Sequence, residues 1–122
     1  MAWRPTGNKY GAKKTEYGGV MYDSKAEAAH ARRLDLLKAA GVVRGWERQV
    51  PIMVGEPGID RPWKIDFVVD YVVEGKIAEE VKGFETTHFR RQQRQWAKRG
   101  PFPLHVIKGK TVKVIEPRGG DE

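Results

Sequence analysis

The sequence contains no cysteine, which excludes disulfides, thiolate zinc sites and a cysteine nucleophile. Long hydrophobic runs are missing too: none approaches the ~20 residues that span a membrane. Residues Met1 to Gly19 lack the apolar core of a signal peptide, so the expected address is the cytoplasm. The histidines His30, His88 and His105 are scattered without metal-ligand spacing and read as packing or surface residues. There is no internal repeat and no low-complexity tract. Acidic charge is scarce relative to basic: 16 Asp and Glu stand against 23 Lys and Arg, a formal net charge of +7.

What is present fits one domain. A chain of 122 residues buries roughly two-thirds of its unfolded surface, enough for one core of sheet and helix. A basic surface attracts polyanions, of which nucleic acid is the commonest. The arrangement sharpens that hint, because the basic residues lie mainly in flanks and helices while acids recur in the central strands.

Residues 1–14, with Lys9, Lys13 and Lys14, are basic and rich in breakers and read as a flexible arm. Lys14–Tyr22 reads as a hairpin turning at Gly18-Gly19. Ser24 with Glu27 forms a capping box, and Ala28, Ala31, Leu34, Leu37 and Ala40 share one helical face ended by Gly41. Trp46–Val54 reads as a strand and Glu56–Pro62 as a loop. Trp63–Val73 and Lys76–Lys82 read as a strand pair. Thr86 or Thr87 caps a basic helix to about Arg99, two strands follow at Leu104–Ile107 and Val112–Ile115, and residues 117–122 form a disordered tail. This order predicts an α/β (α+β) fold, a mixed β-sheet flanked by helices.

The chemistry concentrates in the hairpin 63–83. Glu80 and Lys82 are two apart on a strand and point the same way, as do Asp66, Val68 and Asp70 on theirs. Register decides whether the two faces coincide. A two-residue turn at Glu74-Gly75 sets Asp70 against Glu79 and sends Glu80 to the opposite face. A three-residue loop, Glu74–Lys76, pairs Val73 with Ile77, Asp70 with Glu80 and Val68 with Lys82, and gathers Asp66, Glu80 and Lys82. The latter is the expected register; it leaves Glu79 facing solvent. Converging carboxylates repel unless a cation lies between them. Oxygen ligands without Cys or His select a hard ion, Mg²⁺ or, in its place, Mn²⁺. Such an ion polarises a phosphodiester and acidifies bound water, and Lys82 beside it can orient that water or stabilise the phosphorane.

These residues resemble the PD-(D/E)XK nuclease superfamily: Ile65-Asp66, a spacer running from 67 to 79, then Glu80-Val81-Lys82. Ile65 stands where the family often has proline. The likeness is greatest to phage-encoded junction-resolving endonucleases, whose Ser-x-x-Glu helix, Asp-Phe strand and Glu-x-Lys-Gly strand read here as Ser24–Glu27, Asp66-Phe67 and Glu80–Gly83. It covers about residues 9–107. The resemblance implies a restriction-endonuclease-like core over residues 15–116, with Glu27, Asp66 and Glu80 as ligands of Mg²⁺ and Lys82 as the fourth catalytic residue. It also implies a homodimer acting as a Holliday junction resolvase, in the host cytoplasm if phage-encoded, that leaves 5′-phosphates.

Other readings stand beside this one. A capping box explains Glu27 without a metal, and Asp70 competes with Asp66 for the second carboxylate or stands behind it with Gln49 in a supporting role. Arg90, Arg91, Arg94 and Lys98 form a stripe with almost no acids in their own helix, a surface for DNA phosphates or a solvated face. Trp3, Trp46, Trp63 and Trp96 read as core or dimer-contact residues. Rival functions are a nicking or sequence-specific endonuclease of the same core, a non-catalytic DNA-binding protein, and a basic ribonucleoprotein component. No small-molecule cofactor and no membrane partner is expected.

Overall fold

Ser24 ends an extended approach, and its hydroxyl accepts the Glu27 N–H at 3.1 Å, which starts helix α1 (Lys25–Ala39). The computed structural model describes residues 13–118. Lys9 and the rest of the arm to residue 12, with residues 119–122 of the expected tail, lie outside them. Before α1, strands β1 (Thr15–Tyr17) and β2 (Val20–Tyr22) form the expected hairpin, with Gly18 and Gly19 at the positive φ of its turn. After α1 come β3 (Val43–Ile52), β4 (Trp63–Tyr71) and β5 (Gly75–Val81), then α2 (Thr87–Arg99), β6 (Leu104–Lys108) and β7 (Thr111–Ile115). No helix among the described residues is long and apolar enough to cross a membrane.

The five long strands form one sheet in the order β3-β4-β5-β6-β7, antiparallel except for the parallel pair β5–β6 that α2 connects. The fold is therefore the expected mixed sheet flanked by helices, compatible with a restriction-endonuclease-like core. Ala28, Ala31 and Leu34 of α1 pack with Tyr22, Val43, Phe67 and Val69. Phe89 and Trp96 of α2 pack with Trp63, Ile65, Ala78, Leu104 and Val106. Strand β3 begins three residues earlier than predicted because Val43, 2% exposed, completes the α1 cluster. Arg48 and Gln49 lie within it.

The β4–β5 register differs from expectation. Ile77 pairs with Val69 instead of Val73, a slip of four positions, because Val72-Val73-Glu74 form the loop and Gly75, at φ 84, opens β5. An even slip keeps Asp66, Glu80 and Lys82 on a common face. It moves Asp70 beside Lys76, however, about 13 Å along the strand from Glu80, so Asp70 does not support the site. It also brings Asp66 to the level of Glu80, the next step after the pair Phe67 and Glu79.

Candidate active site

The site opens where β4 and β5 part. Their ladder runs from Tyr71 and Gly75 to Phe67 and Glu79 and stops there. Beyond it, side chains replace the backbone ladder. The Asp66 N–H donates to Glu80 Oε2 at 2.6 Å, and the Val81 N–H donates to Asp66 Oδ2 at 3.1 Å. The apolar residues of β4 change partners at the same point: Trp63 and Ile65 join the α2 cluster, Phe67 and Val69 the α1 cluster. Gln49 lies across from Asp66, between the pairs Arg48–Phe67 and Val50–Ile65, with φ 55. It has the one positive φ outside glycine among the described residues, a conformation that costs a side-chain-bearing residue roughly 1–2 kcal/mol.

Glu80 is 1% exposed, held between β4 and the parallel β6, where it pairs with Val106. Lys82 extends from the same face: its Nζ is 3.6 Å from Glu80 Oε1 and 5.0 Å from the centre of the Phe89 ring. Glu27, half-buried in the first turn of α1, lies within the field of Asp66 and Lys82.

Electrostatics tie these groups together. Burial raises the pKa of Glu80, the Asp66 charge raises it further, and Lys82 opposes both. Burial also raises Asp66, against the pull of Lys82 and the Val81 N–H. Glu27 is pushed up to about 7, first by burial and then by Asp66 and Asp23. All three carboxyls are thus raised chiefly by burial, and Lys82 acts against the shift in each.

Residues 7–115 match the model of DUF1064, a family of proteins of unknown function. The chain belongs to that family. No curated protein and no solved structure matches it.

In this DUF1064 chain, no three His, Cys, Asp or Glu side chains among the described residues stand close enough to enclose a metal ion. The chemistry of the donors nevertheless fits a hard divalent cation. All are carboxylate oxygens, all have raised proton affinity, and a cation would relieve their repulsion.

The basic stripe is present but not uniform. Arg90, Arg91, Arg94 and Lys98 are all exposed, while Phe89, Gln93 and Trp96 face the sheet as predicted. Arg91 is committed to Asp60, with both Nη atoms on its carboxylate at 3.2 and 3.3 Å, and Arg90 lies 4.0 Å from Glu85. Their acidic partners come from loops, which helix spacing could not reveal. Arg94 and Lys98 have no ion-pair partner among the described residues. Lys13 and Lys14 are exposed at the start of the described chain.

Two expectations are corrected. Glu79 does not face solvent; it is 2% exposed, with His30 Nε2 2.5 Å from Oε1 and the Tyr71 hydroxyl donating to Oε2. His30 is accordingly neither a plain packing residue nor a surface one but the partner of a buried acid. Arg48 was passed over in sequence. Its guanidinium stacks 4.7 Å over the Tyr22 ring, its charge acts on Asp66, and its buried Nε has no partner. The available signal is a cation at the same two-residue spacing as the apolar Trp46 and Val50, on edge strand β3.

Proposed function

We propose that this protein is a Mg²⁺-dependent DNA endonuclease of the PD-(D/E)XK type, and that its substrate is the four-way junction, which it resolves as a homodimer in the cytoplasm. The observation that carries the reading is the crossed pair at the strand fork, Asp66 on Val81 and Glu80 on Asp66, with Lys82 beside Glu80 and Glu27 next to them. Burying two carboxylates where a ladder breaks costs desolvation that a plain backbone rung avoids, so the arrangement argues for a task beyond folding.

Glu27, Asp66 and Glu80 would hold the ion, Mg²⁺ or Mn²⁺. Bound there, it supplies charge neutralisation of the phosphodiester and acidification of a water. Lys82 keeps its ammonium at the mouth of the site through Glu80 and the Phe89 ring, where it meets the charge that develops on phosphate oxygens. Arg94, Lys98, Lys13 and Lys14 hold phosphates without reading bases, which suits recognition by shape and charge. A twofold dimer presents two such sites to opposing strands of a junction.

The trio's failure to close round an ion favours a second reading, a DNA-binding protein without catalysis. One experiment separates them: a labelled four-way junction incubated with protein in Mg²⁺, with excess linear duplex as competitor. Paired nicks in the junction support the resolvase; equal cutting of both DNAs keeps the nuclease and removes the junction preference; intact DNA after tight binding favours the second reading.

A further inference from the structure

The α1 face of the sheet is only half covered. Paired strand residues share a face, so the ladders place Glu79, His105 and Val114 together, and likewise Val81, Ile107 and Val112. Val81 packs into the α1 cluster, which fixes this as the α1 side, yet no residue of β6 or β7 enters that cluster. Val112 and Val114 are left 53% and 50% exposed on β7, whose outer edge pairs with no strand among the described residues. The result is a groove of about 640 Å³ between α1 and β7, floored by Val81, Ile107 and Val112. It adjoins a second hollow of about 560 Å³ that shares Tyr71 and His105.

The charges along this surface are of opposite sign at different places. Arg33 and Lys110 line the first hollow, and Glu74 and Glu116 line the second. All four are exposed, and no ion pair engages them among the described residues. The acid beneath the groove, Glu79, is already satisfied by His30 and Tyr71, so it does not call for a cationic ligand.

We propose that this face, the α1 side of β5, β6 and β7, is where a second copy of the chain docks about a twofold axis. The dimer itself rests on the reading above; the interface is argued from exposure and charge. An isologous contact needs a patch complementary to itself after rotation. A surface with an apolar middle, cations on one side and carboxylates on the other meets that need, because rotation sets Arg33 and Lys110 of each copy towards Glu74 and Glu116 of the other. DNA is a poor occupant, since Glu74 and Glu116 repel phosphates. Docking also covers Val112, Val114 and the free edge of β7, which an isolated chain leaves open to uncontrolled pairing.

The test is sedimentation equilibrium of the full chain, compared with Val112→Glu, Lys110→Glu, Glu116→Lys and the combined charge-reversal variant. Wild type is expected at twice the chain mass at tens of micromolar. Val112→Glu should weaken the dimer at least tenfold, each single reversal should weaken it, and the combined reversal should restore it. These residues are exposed, so their variants should keep the wild-type circular dichroism. A monomeric wild type overturns the proposal. So does a dimer that Val112→Glu and the single reversals leave unchanged. Mass is read without cleavage, so a failure here is distinct from a failure of the nuclease reading.

Discussion

Asp66 and Glu80 each accept a backbone N–H at the fork: Glu80 takes that of Asp66 at 2.6 Å, and Asp66 takes that of Val81, the residue after Glu80, at 3.1 Å. The two acids therefore serve as the last rung of the β4–β5 ladder while remaining at the open end of it. Structure and chemistry draw on the same oxygens, and their separate contributions can be measured.

Asp66→Ala removes the acceptor of the Val81 N–H and should lower stability by about 1–3 kcal/mol, the usual cost of a stranded buried donor. Asp66→Asn keeps an acceptor there and should lose less than half as much, while losing activity as fully as the alanine variant. Urea unfolding of both proteins, set beside their cleavage rates, checks the prediction.

The carboxyl pKa values set the pH dependence of the metal-free fold. Glu27, Asp66 and Glu80 are all raised in the folded state, so folding favours their protonated forms. Their contribution is complete below the unfolded values, 4.5 for the glutamates and 3.8 for Asp66, and is lost as pH rises through the folded values, about 7 for Glu27. In EDTA the melting temperature should fall between pH 5 and 8, by roughly 5 °C or more on the scale of ~1 kcal/mol per 4–8 °C. Glu80→Gln should flatten the slope, and Mg²⁺ should offset it most at the alkaline end, where the carboxylates are free of protons. A melting temperature that climbs from pH 5 to 8 in EDTA would contradict this picture.

The buried acid at Glu79 makes a contrasting prediction. His30→Ala leaves Glu79 with only the Tyr71 hydroxyl and should destabilise the fold by about 1–3 kcal/mol. Its effect on cleavage should disappear once assays are run well below its melting temperature, because Glu79 faces away from Glu80. Thermal melts with activity measured at two temperatures separate the effects.

The stripe on α2 should divide by partner. Arg94→Ala and Lys98→Ala should each lower the slope of log affinity against log salt by about 1, the loss of one phosphate contact. Arg91→Ala should change the slope less, because Asp60 already holds that guanidinium. Filter binding to a junction across a salt series gives all three slopes.

Much of the fold is written in local sequence. Ser24, Thr86 and Gly18-Gly19 act through neighbouring atoms, so the helix starts and the first hairpin are readable from type and spacing. The parity of Glu80 and Lys82 is equally local. The β4–β5 register is not, because it depends on whether Val72 or Glu74 begins the loop, and both choices keep the apolar face inward. The burial of Glu79 depends on His30, 49 positions away, and the Asp60 grip on Arg91 on a loop 31 away. No periodicity within one element reports such a partner. Among the candidate residues, Asp66, Glu80 and Lys82 adjoin at the fork, Glu27 is linked to them by the field of Asp66 and Lys82, and Asp70 is displaced by the same four-residue slip that aligns Asp66 with Glu80.

The most direct test of the central claim is nicking of a labelled four-way junction by wild type and Glu80→Gln, each in Mg²⁺ and in EDTA, with junction affinity measured in parallel. The account predicts paired nicks only for wild type in Mg²⁺, and a Glu80→Gln protein that binds the junction as tightly but cuts it at least a thousandfold more slowly. Cutting by Glu80→Gln at the wild-type rate, or equal cutting by wild type in EDTA, would contradict it.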